Sequence, residues 1–504
     1  MDEATKKKLP ALFLLSFSTF VVCVSAAFTQ IISLDLMLDL NAFPSTHYTW
    51  SFPLFMAGEC ASMGLCAGVL DRYGRRMPYL VGSILFIVFT VGCALSTDMI
   101  VFNVFRFFQG FGAGIIIVTC IAQIFFDVQD KEMRYMANGI MSLGFGGGML
   151  FGIFAGKAAI ESIGWETAFM ILAVLQAIVT YPAMQILSNG RRSEMKADIP
   201  AAIILTLWAA CFVLFLQKMW DGWDISTVEA KMGIAFLVFI GLMFLVAETC
   251  NKNSVFHRKV DNGKLVAGSL IFVFILGVID MAAVGFMVKV AFFTYQMSIP
   301  EAAPFFLILV LGAAITAISV SKLIVKTGHL PWLLLSAVLS PIALLSMVLV
   351  HKDDPSFVFA LHLFLLGLAI GCLVSMLNAT IQNRTNEDNN GTVMSFTIMV
   401  RTMALWLGYN FYSLIADIYM KERISDTVSH WNEVIPVELP SNSSIANLLV
   451  TPLGDLIKLI PGLSDEIAEL FAAGVGIGLT YGAIIFVAIA IPTSFILVGR
   501  RKTL

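Results

Sequence analysis

Four ionisable residues interrupt long apolar stretches of the sequence: Glu59, Arg106, Asp280 and Arg401. A charge at the centre of a membrane-spanning helix costs roughly 2.5–3.5 kcal/mol, so such residues mark sites of binding or proton transfer. Withdrawal from water disfavours the ionised form of a carboxyl group, which can then take up and release a proton. The sequence therefore predicts Glu59 and Asp280 as proton-coupling acids, with a structural ion pair or a snorkelling side chain as the alternative for each.

The depth of these residues follows from their distance to the span ends. Glu59 precedes Asp71 by 12 residues, which is roughly 18 Å along a helix. Asp280 lies about 15 residues into its span, or roughly 22 Å, so both acids are near mid-membrane. Arg106 is on the order of 12 Å further from the Asp71 end than Glu59, and no direct pair is expected. The residues predicted to line a substrate cavity are Arg106, Gln109, Gln30 and Arg401; a structural helix cap is the alternative for Arg401.

The composition defines the elements that must carry these residues. Of 504 residues, 59% are hydrophobic and only 13% are charged, against roughly half apolar and a quarter charged in a soluble chain. The apolar residues come in runs of about 20, the length of a membrane-spanning helix. Fourteen spans are predicted, near residues 9–35, 48–70, 78–97, 100–126, 135–157, 167–187, 199–219, 229–249, 265–290, 301–324, 331–350, 356–380, 392–418 and 471–498.

The charge distribution orients the spans and excludes several functions. Most of the 31 Lys and Arg residues fall in loops on the side of the two termini, which the positive-inside rule makes cytoplasmic. The net charge of −3 gives no reason to expect nucleic acid as a partner. The eight cysteines form no CxxC pair, so neither disulfides nor a metal site is predicted. No catalytic or phosphate-binding motif is present, and we expect no cofactor and no enzymatic activity.

A charged, glycine-containing loop follows the second span, with the sequence GVLDRYGRR from Gly68 to Arg76. It resembles the signature motif of the major facilitator superfamily, with one residue fewer before the aspartate. Such a loop can hold the two halves of a transporter together on the cytoplasmic side. The residues predicted to form this conformational latch are Gly68, Asp71, Arg72, Gly74, Arg75, Arg76 and Arg134.

Two further segments resemble motifs of the same superfamily. The fourth span contains Arg106 and Gln109 in an R-x-x-Q-G pattern, and the fifth contains a glycine-rich stretch similar to the family's antiporter motif. This stretch departs from the pattern at Ile153, where the family usually has proline. Its small residues recur every four positions, which favours close helix packing. The glycines of this predicted packing face are Gly148, Gly152 and Gly156.

The whole pattern resembles the fourteen-span drug:proton antiporter branch of the superfamily. A weak copy of the signature motif, from Lys322 to His329, indicates a repeat of two halves around a central site. The resemblance implies an all-α membrane fold of two six-helix bundles plus two inserted helices. The expected domains are residues 1–190, residues 191–264 with the inserted helices and a cytoplasmic linker, and residues 265–504, with an outer amphipathic segment near 419–470.

The implied function is proton-coupled export of amphiphilic or lipophilic small molecules by alternating access. One departure complicates it, because Ser25 stands where that branch carries an aspartate in the first span. Uptake, facilitated transport or lipid flipping of one specific metabolite is the alternative, followed by a transporter-shaped receptor. We expect a monomer in the cell membrane that crosses it many times, with small-molecule substrate, protons and lipid as its partners.

Overall fold

The computed structural model describes residues 3–32, 36–37, 39–40, 42, 49–187, 198–220, 226–250, 263–293, 295, 297, 299–348, 354–432 and 463–498. Within these ranges the chain forms fourteen long helices. They are α1 (Glu3–Ile31), α2 (Ser51–Tyr73), α3 (Arg76–Ala94), α4 (Met99–Asp127), α5 (Met133–Ile163), α6 (Trp165–Ile186), α7 (Ile199–Trp220), α8 (Val228–Cys250), α9 (Gly263–Phe293, with a π-helical turn), α10 (Ile299–Thr327), α11 (Leu330–Val348), α12 (Ser356–Gln382), α13 (Asn390–Asn432) and α14 (Leu463–Val498).

The helices have the dimensions of membrane spans. Thirteen of them satisfy length and hydropathy criteria for a span within the described residues. The other, α2, carries Glu59 and is packed against α4, α7 and α13. The predicted all-α membrane architecture with fourteen helices is therefore confirmed.

Helix boundaries follow from a few local residues. Asp98 caps α4 because its Oδ1 accepts hydrogen bonds from the backbone N–H groups of Ile100 at 2.8 Å and Val101 at 3.1 Å. Gly74 and Gly328 adopt positive φ angles of 79° and 74°, a conformation that glycine adopts without a Cβ clash. These two glycines allow the tight connections from α2 to α3 and from α10 to α11.

Close packing of α5 on α1 depends on the predicted glycine face. A Cβ on Gly148 would lie 2.5 Å from the carbonyl oxygen of Phe20, and one on Gly152 would lie 2.5 Å from that of Val24. Gly156 lies against the ring of Phe28. The two backbones therefore approach as closely as membrane helices do when small residues line the contact.

The two sets of six helices meet along a few seams. In the first set α1 packs on α5, α2 on α4, and α3 on α4 and α6. In the second set α10 packs on α12, α11 on α12 and α14, and α13 on α9 and α14. The sets contact each other where α2 and α4 meet α13, and where α5 meets α10 and α12. Residues between the sets are therefore contributed mainly by α2 and α5 from the first set and by α10, α12 and α13 from the second.

The inserted helices lie beside one of these seams. Helix α7 packs against both α2 and α13, and Trp406 Nε1 donates to the carbonyl oxygen of Val213 at 3.3 Å. Helix α8 packs against α7 and leaves large apolar side chains such as Phe236 and Phe239 exposed. This exposed face is suited to lipid contact.

Helices enter the predicted outer segment near 419–470 from both ends. Helix α13 continues to Asn432, beyond the predicted span end at 418, and α14 begins at Leu463. Residues 433–462, the middle part of that segment, lie outside the described residues.

Candidate functional site

Glu59 lies on α2, buried where the two helix sets meet. Its side chain is 3% exposed, and Oε1 has no hydrogen-bond partner. The guanidinium of Arg401, on α13, attracts it electrostatically. Arg401 is itself 4% exposed, and its Nε and Nη2 atoms also lack hydrogen-bond partners. An acid and a base from different halves thus share one buried region without fully satisfying each other.

Two further residues complete the surroundings of Arg401. Its Cζ atom lies 4.8 Å from the ring centroid of Phe145 on α5, within the range of a cation–π interaction. Cys23 on α1 lies near enough to Glu59 and Arg401 for its thiol to interact electrostatically with both. Helices α1, α2, α5 and α13 therefore converge at what we call the central charge cluster, defined by Cys23, Glu59, Phe145 and Arg401.

Asp280 occupies a π-helical turn, Leu276–Met281, in the middle of α9. Its side chain is fully buried; Oδ2 accepts a hydrogen bond from Ser340 Oγ on α11 at 2.8 Å, and Oδ1 has no partner. The hydroxyl of Tyr412 donates to the carbonyl of Ile279 at 3.1 Å. A π-turn of this kind frequently marks a functional position in a helix.

Close contact with α13 fixes the position of this turn. A Cβ on Gly277 would lie 2.9 Å from the carbonyl oxygen of Arg401, and Gly408 lies directly against the backbone of Val278. The turn that carries Asp280 and the helix that carries Arg401 are therefore packed backbone to backbone. The structure does not place Asp280 in contact with Glu59.

Arg106 lies inside the first six-helix set, where neutral oxygens surround it. Its Nε donates to the carbonyl of Ser51 at 3.2 Å, and Nη2 donates to Thr29 Oγ1 at 2.8 Å. Nη1 donates to Gln109 Oε1 at 2.5 Å and to the Ser25 carbonyl at 3.3 Å. The side chain is fully buried. These contacts stabilise the packing of α1, α2 and α4, and Glu59 is not among the partners.

Gln109 extends this network. Its Nε2 donates to Ser25 Oγ at 2.9 Å and to Thr90 Oγ1 at 2.7 Å. Ser25 Oγ is 3.5 Å from Arg106 Nη1, so this hydroxyl lies directly beside the buried guanidinium. Gln30, the fourth predicted cavity residue, is half-buried near the end of α1.

Asp71 caps the first turn of α13 from the end of α2. Its Oδ1 accepts from the backbone N–H of Gly391 at 2.6 Å, and its Oδ2 accepts from that of Thr392 at 2.8 Å. A carboxylate is stabilised at a helix N-terminus by unpaired N–H groups and by the helix dipole. One buried side chain thus joins the two halves at this end of the molecule.

The remaining residues of the predicted latch are arranged unequally around Asp71. The Arg75 side chain is 1% exposed, and its Cζ atom lies 3.3 Å from the ring centroid of Phe126. Burial lowers the pKa of Arg75 to about 10, although Asp71, Asp127 and Glu387 oppose that effect. Arg72 and Arg76 are exposed, and Gly68 lies within α2.

Arg134 forms a second connection at the same end. Its Nη1 donates to Asn383 Oδ1 at 3.1 Å, and Nε and Nη2 donate to the carbonyls of Val128 and Phe125 at 2.8 Å and 3.1 Å. Asn383 ends α12, so Arg134 ties the last turn of α4 to the second half. Arg134 and Asp71 therefore connect the halves through different helices.

Sequence reasoning missed another set of contacts beside these. Asn138 Nδ2 donates to Gln382 Oε1 at 2.7 Å, and Tyr135 Oη lies 3.2 Å from His329 Nε2. Burial, together with the charge of Arg384, lowers the pKa of His329 to about 4, so its ring is uncharged at neutral pH. The motif copy that ends at His329 was the available signal. All these contacts connect the two helix sets at the Asp71 end of the molecule.

The described helices are apolar and form two sets that meet around buried opposite charges. This arrangement is that of a polytopic membrane protein of the transporter class. The family model described as Major Facilitator Superfamily matches residues 11–409, and the chain belongs to that family. It is a transporter of this superfamily, and it crosses the membrane several times.

Known proteins place the chain among diverse transporters. It is 21% identical over 434 residues to Multidrug resistance protein 3 of Bacillus subtilis, covering 85% of this chain and 84% of that protein. It is 24% identical over 418 residues to the riboflavin transporter RibZ of Clostridioides difficile, covering 81% and 88%. The crystal structure of the human organic anion transporter MFSD10 shares the fold, with a TM-score of 0.61 at 12% identity, covering 99% of this chain and 100% of that chain.

Proposed function

We propose that this transporter exports amphiphilic or lipophilic small molecules in exchange for protons, by alternating access. The observation that carries the proposal is Glu59, a carboxyl group with an unpartnered oxygen, buried at the meeting of the two halves beside Arg401. A group in that place can exchange a proton when the access path opens on either side. Similarity to Multidrug resistance protein 3 supports the substrate class.

Each predicted acid has a role in this cycle. Glu59 is the principal proton-coupling residue, because its protonation changes the charge balance between the halves. Asp280 is the second, since Oδ1 remains unpartnered while Ser340 holds Oδ2. Protonation of either acid removes a buried charge and favours a different arrangement of the helices around it.

The charged residues at the Asp71 end form the gate that opens toward the cytoplasm. The excess of Lys and Arg in the loops at this end supports a cytoplasmic location for it and for both termini, and we propose that the protein resides in the cell membrane. Residues 1–190 and 265–504 act as the two rocking units, residues 191–264 carry the inserted helices, and the protein functions as a monomer. With the gate contacts formed, the cytoplasmic side is closed.

A second candidate is transport of one specific metabolite without proton coupling. Two observations favour it: Ser25 stands where the antiporter branch carries an aspartate, and one relative is named a riboflavin transporter. In this case Glu59 and Arg401 would bind substrate, and a pH gradient would not drive accumulation.

Purified protein in liposomes with an imposed pH gradient distinguishes the two candidates. A panel of lipophilic dyes, phospholipid analogues and water-soluble metabolites including riboflavin is supplied, and transport is measured with the gradient present and after collapse by a protonophore. Gradient-dependent movement of several dyes is expected. Saturable transport of a single metabolite that is insensitive to the protonophore would establish the second candidate instead.

A further inference from the structure

The central charge cluster contains hydrogen-bonding capacity of both kinds that the protein does not use. Glu59 Oε1 is an acceptor, and Arg401 Nε and Nη2 are donors; all three atoms are buried without a partner. Buried polar groups are normally satisfied, because each unsatisfied one costs the free energy of its lost hydration. An acceptor and a donor fork left open in one region indicate a ligand that supplies the complementary groups.

The chemistry of the two side chains specifies those groups. The guanidinium of Arg401 matches a carboxylate in a planar, charge-assisted arrangement. The carboxylate of Glu59 matches an ammonium group. A ligand with a single charge would pair with only one of these two side chains. The charge of the other side chain would then have no partner.

The cluster is also electrically balanced before anything binds. Glu59 and Arg401 attract each other and together carry no net charge when both are ionised. A zwitterion preserves this balance, whereas an isolated cation or anion adds a net charge to a buried region, which is costly. Phe145, whose ring lies below the Arg401 guanidinium, offers an apolar surface for the body of the ligand.

We propose that the central charge cluster binds amphiphilic zwitterions, with the ligand carboxylate on Arg401 and its ammonium group on Glu59. This inference rests on the proposed transport function and specifies its substrate class. Because a proton and the ammonium group compete for the same carboxylate, binding of this class is compatible with proton exchange. The two halves each contribute one charge, so the ligand bridges α2 and α13.

A matched set of four probes with one aryl body tests the proposal. Homophenylalanine is zwitterionic; 3-phenylpropylamine lacks its carboxylate, 4-phenylbutyrate lacks its amine, and 4-phenylbutanol is uncharged. Binding to the full chain in lipid nanodiscs is measured by titration calorimetry at constant pH. The zwitterion is expected to bind at least about tenfold more tightly than the best of the other three.

Variants assign each charge to its partner. Arg401→Gln should remove the preference for homophenylalanine over 3-phenylpropylamine, and Glu59→Gln should remove its preference over 4-phenylbutyrate. Glu248→Gln, which changes a buried acid on the inserted helix α8, should keep the tenfold preference. If a variant does not fold, the four affinities of the unmodified protein still decide the question.

Equal or tighter binding of any one of the other three probes would overturn the proposal. The liposome experiment separates this failure from failure of the proposed function. Gradient-driven export of dyes without a zwitterion preference would leave the transport function intact and disprove the substrate class. A zwitterion preference without gradient-driven transport would support the ligand class and disprove the proposed proton-coupled transport.

Discussion

At the scale of single residues, the proposed proton coupling can be tested at Glu59. Glu59→Gln keeps the side-chain volume and mimics the protonated acid, so it should abolish pH-driven accumulation in liposomes while ligand binding stays measurable. A buried charge costs several kcal/mol, enough to shift a conformational equilibrium by the amount that alternating access requires. Asp280→Asn should reduce accumulation as well.

The matched control is Glu248→Gln, because Glu248 is also a buried acid but lies on α8. It should retain full gradient-driven transport. If the Glu59 and Asp280 variants both transport at the unmodified rate, coupling through these two acids is wrong and the single-metabolite candidate becomes the better one.

A second residue-scale prediction concerns Ser25 and Arg106. Ser25→Asp would place a carboxylate beside Nη1 of Arg106, where Ser25 Oγ now lies at 3.5 Å. The two should become interdependent, because an unpaired buried charge is strongly destabilising. A double-mutant cycle compares Ser25→Asp, Arg106→Gln and the double variant by thermal unfolding in detergent. We expect a coupling free energy of about 1–3 kcal/mol between the two positions. Additive effects would contradict this.

The sequence anticipated several of these positions and not their partners. Depth along a helix identified Glu59 and Asp280 as buried acids, because helical rise is nearly constant. Sequence alone could not show that Arg401 lies near enough to Glu59 for their charges to interact, since that depends on how α2 and α13 are rotated and packed. Arg106 was expected to line a cavity, yet its hydrogen bonds lie within the first helix set.

At the scale of helices, the fit between α1 and α5 can be tested by adding one methyl group. Gly152→Ala places a Cβ within 2.5 Å of the Val24 carbonyl oxygen, so the helices must separate. We expect a loss of about 1–3 kcal/mol in stability, measured as a lower midpoint of thermal unfolding. Gly146→Ala is the control: it lies on the same helix with nothing within 4 Å of its Cβ position, and it should be neutral or stabilising.

Helix length was harder to predict than helix existence. Hydropathy located the membrane-crossing parts of α13 and α14, but it could not detect that α13 continues to Asn432. Hydrophobicity falls where a helix leaves the hydrocarbon, whereas its backbone hydrogen bonds can continue. The π-helical turn at Asp280 likewise leaves no periodicity signal in so short a stretch.

At the scale of the whole molecule, the Asp71 contact should bias which side of the transporter is open. Asp71→Asn removes the charge at the N-terminus of α13, an interaction worth about 0.3–2 kcal/mol. The equilibrium constant for closing at this end should therefore fall by about twofold to thirtyfold, and the exchange rate between the open and closed states should change. Spin labels on α4 and α12 at this end, read as distance distributions, measure the populations.

Asp98→Asn provides the comparison. Asp98 caps α4 through the same kind of hydrogen bonds, but both partners belong to one helix set. Its replacement should lower stability without changing the distance distributions. A matching shift in both variants would mean that the Asp71 contact has no special role in gating.

Helix α7 imposes a geometric condition on any such movement. It packs on α2 from the first set and on α13 from the second, with Gly64 lying flat against the backbone at Thr206 and with Trp406 bonded to Val213. Rocking of one set relative to the other must therefore change at least one of these two contacts. The packing of α7 on α2 is the more extensive of the two and brings the backbones close together at Gly64, whereas its contact with α13 is small and includes the hydrogen bond from Trp406. During the proposed rocking we therefore expect α7 to move with the first set, so that its contact with α13 is the one that changes.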